Sequence, residues 1–167
     1  YLKRLVYLIS PNTIYKNFYI DLEKVLATKK VKFFQLRLKK TSNNKIVQIA
    51  RKVKILTRKH SVQLIINDSP RICKKVNADG CHIGQQDGSL LNARKNLKNK
   101  IIGITCHNSK NLARIAIKNN ADYIAFGSFY KSKLKPNTKK ANIKVLNWAK
   151  KNIKKPIILI GGITDKN

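Results

Sequence analysis

The sequence predicts a parallel α/β fold of the (β/α)8 TIM-barrel type, truncated after strand seven. Three observations carry that prediction. Short Ile/Val/Leu-rich runs alternate with longer amphipathic stretches along the chain, as strands buried between layers of helices require. The segment Asn77-Ala78-Asp79-Gly80 opens a run that ends at Gly84, and Asn120-Ala121-Asp122-Tyr123 opens another that ends at Gly127, at identical spacing. Two equivalent βα units explain that echo. The strand count is seven within 167 residues, whereas a full barrel has eight strands and usually at least about 200 residues.

The strands are expected at residues 5–10, 32–38, 63–68, 80–83, 101–106, 123–128 and 156–160. Between them, apolar residues recur at helical spacing. Phe18, Leu22, Val25 and Leu26 form the first such stripe, and Ile46, Ile49, Ala50, Val53 and Leu56 the second. Leu112, Ile115 and Ala116 form a third, behind a helix start at Asn108-Ser109. Ile143, Leu146, Ala149 and Ile153 form the last. Asp79 and Asp122 precede their strands, on the side of a barrel away from catalysis, and read as turn formers.

No linker or low-complexity segment divides the chain, so one domain over 1–167 is expected. The sequence holds no Met, and Tyr1 is too large to follow a trimmed initiator. A fragment lacking the initiator and the last βα unit is the expectation. Hydrophobic residues make up 43%, which excludes an intrinsically disordered chain. No window approaches the ~20 apolar residues of a membrane span, and no signal-peptide core opens the chain. Three cysteines, an odd number without a CxxC, argue against a disulfide framework and fit a reducing compartment, so a cytoplasmic protein is expected.

The charge is extreme: 37 Lys+Arg against 7 Asp+Glu, or +30. Lysine outnumbers arginine 30 to 7, and Asn and Ile are abundant too. All three have A/T-rich codons, so genome composition accounts for much of the excess. The lysines are spread over most inter-strand segments rather than gathered into one basic stripe, and no stacking platform accompanies them. Nucleic acid and membrane are therefore not expected as partners.

Local rules break at the ends of the strands. In strand two, alternation turns Leu36 and Leu38 toward the helices and Gln35, Arg37 and Lys39 toward the barrel interior. Two cations and an amide in a core call for an anionic partner. Arg grips phosphate oxygens as a fork and Lys as a point charge, so a phosphate or diphosphate is expected. The bland alternative leaves Lys39 solvated in a loop. Strand three ends in Asn67-Asp68, and strand four is followed by Gly84-Gln85-Gln86-Asp87. Neighbouring parallel strands carry both carboxylates to one mouth, where two acids plus a diphosphate suit Mg²⁺. Capping of the next helix by Asp68, or a turn at Asp87-Gly88, is the alternative.

Thr105 and His107 share a face of strand five, and His107 could orient a substrate or move a proton. Cys81-His82 and Cys106-His107 are strand neighbours that point apart, so each pair offers one ligand at most and zinc is not expected. The loop at 127–136 holds Ser132, Lys133, Leu134 and Lys135 and suits an anion contact. Gly161-Gly162 permits close backbone approach to a ligand, where barrels often bind phosphate.

The ordered set of segments at 35–39, 66–68, 78–87, 103–107, 121–127, 132–135 and 161–163 resembles the thiamine phosphate synthase family. Its hallmarks are Q-x-R-x-K, I-N-D, A-D-G-x-H-x-G-Q-x-D, G-x-S-x-H, A-D-Y-x-x-x-G, T-x-T-K and G-G-I. The resemblance implies a transferase that joins a hydroxymethylpyrimidine diphosphate to a thiazole phosphate, with Mg²⁺ as cofactor and small phosphorylated molecules as partners. It implies Arg37, Lys39 and Lys135 as the cations that neutralise the departing diphosphate, and Asp68 and Asp87 as metal ligands. It assigns Gln35, Asn67 and Thr105 to the pyrimidine, and Ser132, Lys135 and Gly162 to phosphate binding. The chain departs from the pattern at Leu134, which stands where the family has Thr, at Pro11, where an acid often closes strand one, and at Gln86, where Glu is usual. A thiazole tautomerase-like relative using His107, an inactive binding paralogue, and a nucleic-acid binder are the competing readings.

Overall fold

A computed structural model describes residues 5–130 and 140–164. It contains β1 (Val6–Ile9), α1 (Phe18–Ala27), β2 (Val31–Leu36), α2 (Asn43–Lys59), β3 (Gln63–Asn67), α3 (Pro70–Lys75) and β4 (Gly80–Ile83). These are followed by α4 (Leu90–Leu97), β5 (Ile101–His107), α5 (Lys110–Lys118), β6 (Tyr123–Phe126), α6 (Ile143–Asn152) and β7 (Ile157–Leu159). The strands run in chain order, β1 to β7, in one sheet. The registers of β1–β2, β2–β3, β3–β4, β5–β6 and β6–β7 are all parallel. Sequential parallel order is that of an α/β barrel.

The chain divides into two compact units. The first holds the residues up to His82 and Asn96–Ile101; the second holds Ile83–Lys95 and the residues from Ile102 onward. In the first, α1 lies against α2, and α2 and α3 lie against β3. Phe18 of α1 meets Phe34 of β2 with ring centroids 6.4 Å apart. Leu26, Leu36, Val53, Leu64 and Ile65 are fully buried around them. In the second, α5 lies against α6, and Ile102, Ile124, Phe126, Ala113 and Ala149 are fully buried.

The expected strands are all present, each within a residue or two at either end. The helix stripes need correction. Val25, Ile115 and Ile143 are 41%, 47% and 61% exposed, whereas Val47, Thr57, Ala113 and Val145 are buried alongside the expected Ala116. Small and β-branched residues let a helix axis approach the sheet closely, so bulk alone misplaces the buried face. Helices α3 and α4 carry no long stripe, and periodicity does not predict them. Ser69 caps α3 by accepting from the Ile72 N–H at 3.2 Å, and Pro70 sits in its first turn. Ser109 caps α5 in the same way through the Leu112 N–H, as expected.

The sequence echo has a structural counterpart. Asn77 and Asn120 both take left-handed φ, 50° and 62°, directly after α3 and α5. Ala78 N–H bonds back to Cys73 O and Ala121 N–H to Ala116 O, each at 3.0 Å, which closes the same helix-ending motif twice. Asp79 Oδ2 then accepts from the Leu64 N–H at 2.8 Å while the Asp79 N–H donates to Leu64 O at 3.0 Å. Asp122 repeats this with Ile102, at 2.8 Å in both directions. Each aspartate thus clamps the second residue of the preceding strand. Gly103 makes room for a ring. A Cβ there would fall 1.9 Å from Tyr123 Cζ, so its bare backbone is what lets the Tyr123 ring lie across β5.

Candidate active site

In the first unit, the C-terminal ends of β2 and β3 lie side by side, with Gln35 opposite Ile65 and Leu36 opposite Ile66. Gln35 is 3% exposed, and its Nε2 donates to the Tyr7 hydroxyl at 2.8 Å. Tyr7 also stacks on Phe33, so Tyr7, Phe33 and Gln35 share one face. Gln35 therefore sits on the face that alternation predicts. Arg37 and Lys39 do not sit in a core, and that expectation is corrected. Strand β2 ends at Leu36; beyond it Leu38 is buried as expected, but Arg37 is half-buried and Lys39 is exposed. The cations line the rim of the strand ends, where hydration costs them little until an anion arrives.

Each cation is held. Arg37 Nη1 donates to Asn12 Oδ1 at 2.7 Å, and the Arg37 N–H donates to Ser10 Oγ at 2.9 Å. Lys39 Nζ forms an ion pair with Asp68 Oδ2. Asn67 closes β3 opposite His82 of β4. Asp68 comes next at φ 63°, with its N–H on His82 O at 2.7 Å. Asp and Asn tolerate this left-handed conformation better than most residues, and such positions gather at functional sites. Because Ser69 is the cap of α3, the carboxylate of Asp68 is not spent on helix capping.

In the second unit, Asp87 is exposed and its Oδ2 accepts from the Gly84 N–H at 2.8 Å, closing the turn after β4. Gln85 Nε2 donates to Thr105 O at 2.6 Å, tying that turn to β5. Thr105 is half-buried; His107, at the end of β5, is exposed with φ 51°. The register with β6 shifts between Thr105 and His107, so strict alternation does not relate the two. Gly161 and Gly162 come after β7 at φ 94° and 68°. A Cβ on Gly161 would fall 2.1 Å from Ser128 Oγ, so glycine is required there twice over. Ser132, Leu134 and Lys135 lie outside the described residues.

The first unit thus gathers Gln35, Arg37, Lys39, Asn67 and Asp68, and the second carries Asp87, Thr105 and Gly162. Among the described residues, no three of His, Cys, Asp and Glu cluster. Asp68, after β3 in the first unit, and Asp87, in the turn after β4 in the second, each carry carboxylate oxygens, hard ligands of the kind Mg²⁺ takes in small number while keeping its waters. The donor chemistry fits that ion and does not fit a thiolate or imidazole metal. The three cysteines are buried and form no disulfide. Burial pushes the Cys106 thiol up to about 12. Burial also takes Cys73 up to about 11, with Lys100 opposing and Asp79 adding to the rise.

Sequence reasoning passed over Tyr7, Ser10 and Asn12, the partners of Gln35 and Arg37. The available signal was Ser10, a polar residue closing an apolar run at the same end as the cationic triplet; it is 7% exposed.

A family model described as thiamine monophosphate synthase matches residues 6–167. The thiamine-phosphate synthase of Pelagibacter ubique is 56% identical over 167 residues, covering 99% of this chain and 80% of that protein. The thiamine-phosphate synthase of Erythrobacter litoralis is 36% identical over 97% of this chain and 78% of its own length. That of Saccharophagus degradans is 41% identical over 82% of this chain, a match spanning 64% of its length. Among solved structures, thiamine phosphate pyrophosphorylase from Pyrococcus furiosus superposes with a TM-score of 0.86 at 24% identity, over 99% of this chain and 78% of that one. A truncated 3-deoxy-D-arabino-heptulosonate 7-phosphate synthase from Thermotoga maritima reaches 0.64 at 12% identity, over 93% of this chain and 63% of that one. These two likenesses bear on fold alone, because one barrel supports many chemistries.

Proposed function

The chain belongs to the thiamine monophosphate synthase family, and from that premise we propose that it condenses 4-amino-2-methyl-5-hydroxymethylpyrimidine diphosphate with thiazole phosphate. The products are thiamine phosphate and pyrophosphate. The observation that carries this reading is the grouping of Gln35, Arg37, Lys39, Asn67 and Asp68 at the adjoining ends of β2 and β3, a set of amides, cations and one carboxylate suited to a diphosphate ester.

The bond between the pyrimidine methylene carbon and the diphosphate oxygen breaks, and its electron pair leaves with the diphosphate. The thiazole nitrogen supplies the pair for the new C–N bond. Charge therefore builds on the leaving group, and Arg37 and Lys39 meet it from the β2 side, with Lys135 assigned the same role. Gln35 and Asn67 orient the pyrimidine diphosphate; Thr105 faces the pyrimidine. Gly162 offers backbone to the thiazole phosphate, with Ser132 as a hydroxyl contact. Asp68 and Asp87 are the residues that would hold Mg²⁺, which would add positive charge at the diphosphate oxygens. The ion pair of Lys39 with Asp68 supports their joint role, since it sets the cation beside the metal-side carboxylate. We assign the reaction to the cytoplasm; three free, buried thiols are compatible with a reducing compartment. Among the described residues no helix is long and apolar enough to cross a membrane.

The test is direct. The protein is mixed with both phosphorylated precursors, with Mg²⁺ or with EDTA, and thiamine phosphate and pyrophosphate are both assayed. Metal-dependent formation of the two products in equal amounts, reduced by about two to three orders of magnitude in Asp68→Ala, is the expected result. Proton exchange on the thiazole phosphate without condensation would replace this reading with the tautomerase-like one and move attention to His107.

A further inference from the structure

Arg37 and Lys39 are two residues apart and are held in opposite ways. Lys39 is matched by a carboxylate, Asp68. Among the described residues Arg37 is matched by neutral groups: Asn12 Oδ1 takes a guanidinium N–H at 2.7 Å, and Ser10 Oγ takes the backbone N–H at 2.9 Å. The Ser10 hydroxyl also reaches Pro11 O at 3.0 Å and Arg37 O at 3.3 Å, so the end of β1 is laced to the residue after β2. Among the described residues Arg37 makes no ion pair.

A guanidinium has five N–H donors in a rigid fork. One donor given to an amide oxygen fixes the plane of the fork while the charge stays uncompensated. A carboxylate in the same place would take the fork bidentately and compete with any incoming diphosphate. We propose that Asn12, supported by Ser10, is a positioning residue: it aims the Arg37 guanidinium at the diphosphate of the substrate, and its neutrality keeps that charge available. The inference rests on the function proposed above, in which Arg37 meets the diphosphate.

The experiment measures binding of inorganic pyrophosphate in the presence of Mg²⁺ by calorimetry, with melting temperature recorded for every variant. Asn12→Ala is expected to weaken binding by about tenfold or more, the worth of one lost orienting hydrogen bond to a charged group. Asn12→Asp keeps the shape and the acceptor; it is expected to retain the melting temperature of the parent and yet weaken binding more than Asn12→Ala. In an Arg37→Ala background, Asn12→Ala is expected to change nothing further. A purely structural Asn12 predicts the reverse for the isosteric acid, with Asn12→Asp binding as well as the parent, and that result would overturn the proposal. So would an Asn12→Ala loss of the same size in the Arg37→Ala background. Loss of binding in Arg37→Ala with none in Asn12→Ala would sink the positioning role alone. No effect of Arg37→Ala itself would remove Arg37 from the diphosphate site and overturn the parent assignment together with this one.

Discussion

Replacing Asp79 with alanine tests the reading of the repeated clamp. The Asp79 carboxylate accepts from the Leu64 N–H at 2.8 Å, and Leu64 is fully buried. Alanine leaves the N–H of buried Leu64 without its acceptor. An orphaned buried donor that had bonded a charged group costs about 1.5–3 kcal/mol. For a chain of this length each kcal/mol moves the melting temperature by roughly 2–4 °C, so Asp79→Ala should melt several degrees lower, at the upper end by about 12 °C. Asp79→Asn keeps a neutral acceptor and should recover about half of the loss. Urea unfolding followed by circular dichroism, with circular dichroism melts alongside, gives both numbers; an unchanged denaturant slope confirms that the native state alone was altered. The steady-state constants should stay within about twofold of the parent, because the clamp binds the start of β3 and the candidate site lies past its end. A loss below about 0.5 kcal/mol would place Asp79→Ala among ordinary surface substitutions and refute the clamp. A normal stability with a collapsed turnover would instead make Asp79 part of the chemistry.

Further predictions use the same logic. Ser61 ends α2 at φ 55°, a left-handed conformation that costs a residue with a Cβ about 1 kcal/mol or more, so Ser61→Gly should raise stability by about that amount in the same assay. A glycine there that lowers the melting point would show that Ser61 carries an unrecognised contact. Burial holds the Cys106 thiol near 12 and the Cys73 thiol near 11, so at pH 8 almost no thiolate exists in the folded state. Native protein should therefore resist an aromatic disulfide reagent that labels all three thiols in denaturant, and rapid labelling of the native form would contradict the burial. Arg37→Ala and Asp68→Ala should each lower kcat/KM by about two to three orders of magnitude, the loss typical of one group that stabilises transition-state charge, with melting temperature little changed because both lie at the solvent-facing rim. Retention of activity in either would remove that residue from the reaction.

The inner strands β3 to β6 were readable because a strand buried on both faces must be a short unbroken apolar run; β1 and β7, which bury no residue, were read from the same apolar runs between lysine-rich helices and turns. Helix faces were less readable. The periodicity of large residues selected Val25, Ile115 and Ile143, which the fold leaves exposed, and undervalued Ala113 and Thr57, which it buries. Contact between a helix and a sheet rewards closeness as much as bulk, so a residue's own hydrophobicity is a partial guide to its depth. Helix α3 was invisible to periodicity because six residues hold less than two turns; its visible mark was Ser69-Pro70, a cap followed by a first-turn proline, which requires no stripe at all.

The site was legible to the extent that it violates the rules of folding. Cations after an apolar strand and aspartates at strand ends contribute little to a core, so their presence already points to a ligand. Misjudged was the depth of Arg37 and Lys39, since β2 ends, and its pairing with β3 ends, at Leu36 opposite Ile66. Beyond that point Leu38 stays buried, while Arg37 is half-buried and Lys39 is exposed. This difference strengthens the chemical reading. A cation buried in a core would need permanent compensation, whereas one at the rim can be held by a partner that releases or shares it when an anion binds. Lys39 on Asp68 and Arg37 on Asn12 are two such holdings, one charged and one neutral. Asn12 was unreadable in advance because nothing in its local sequence marks it; it acquires a role only when the register of β1 against β2, with Ile9 opposite Gln35, brings it beside a residue 25 positions away.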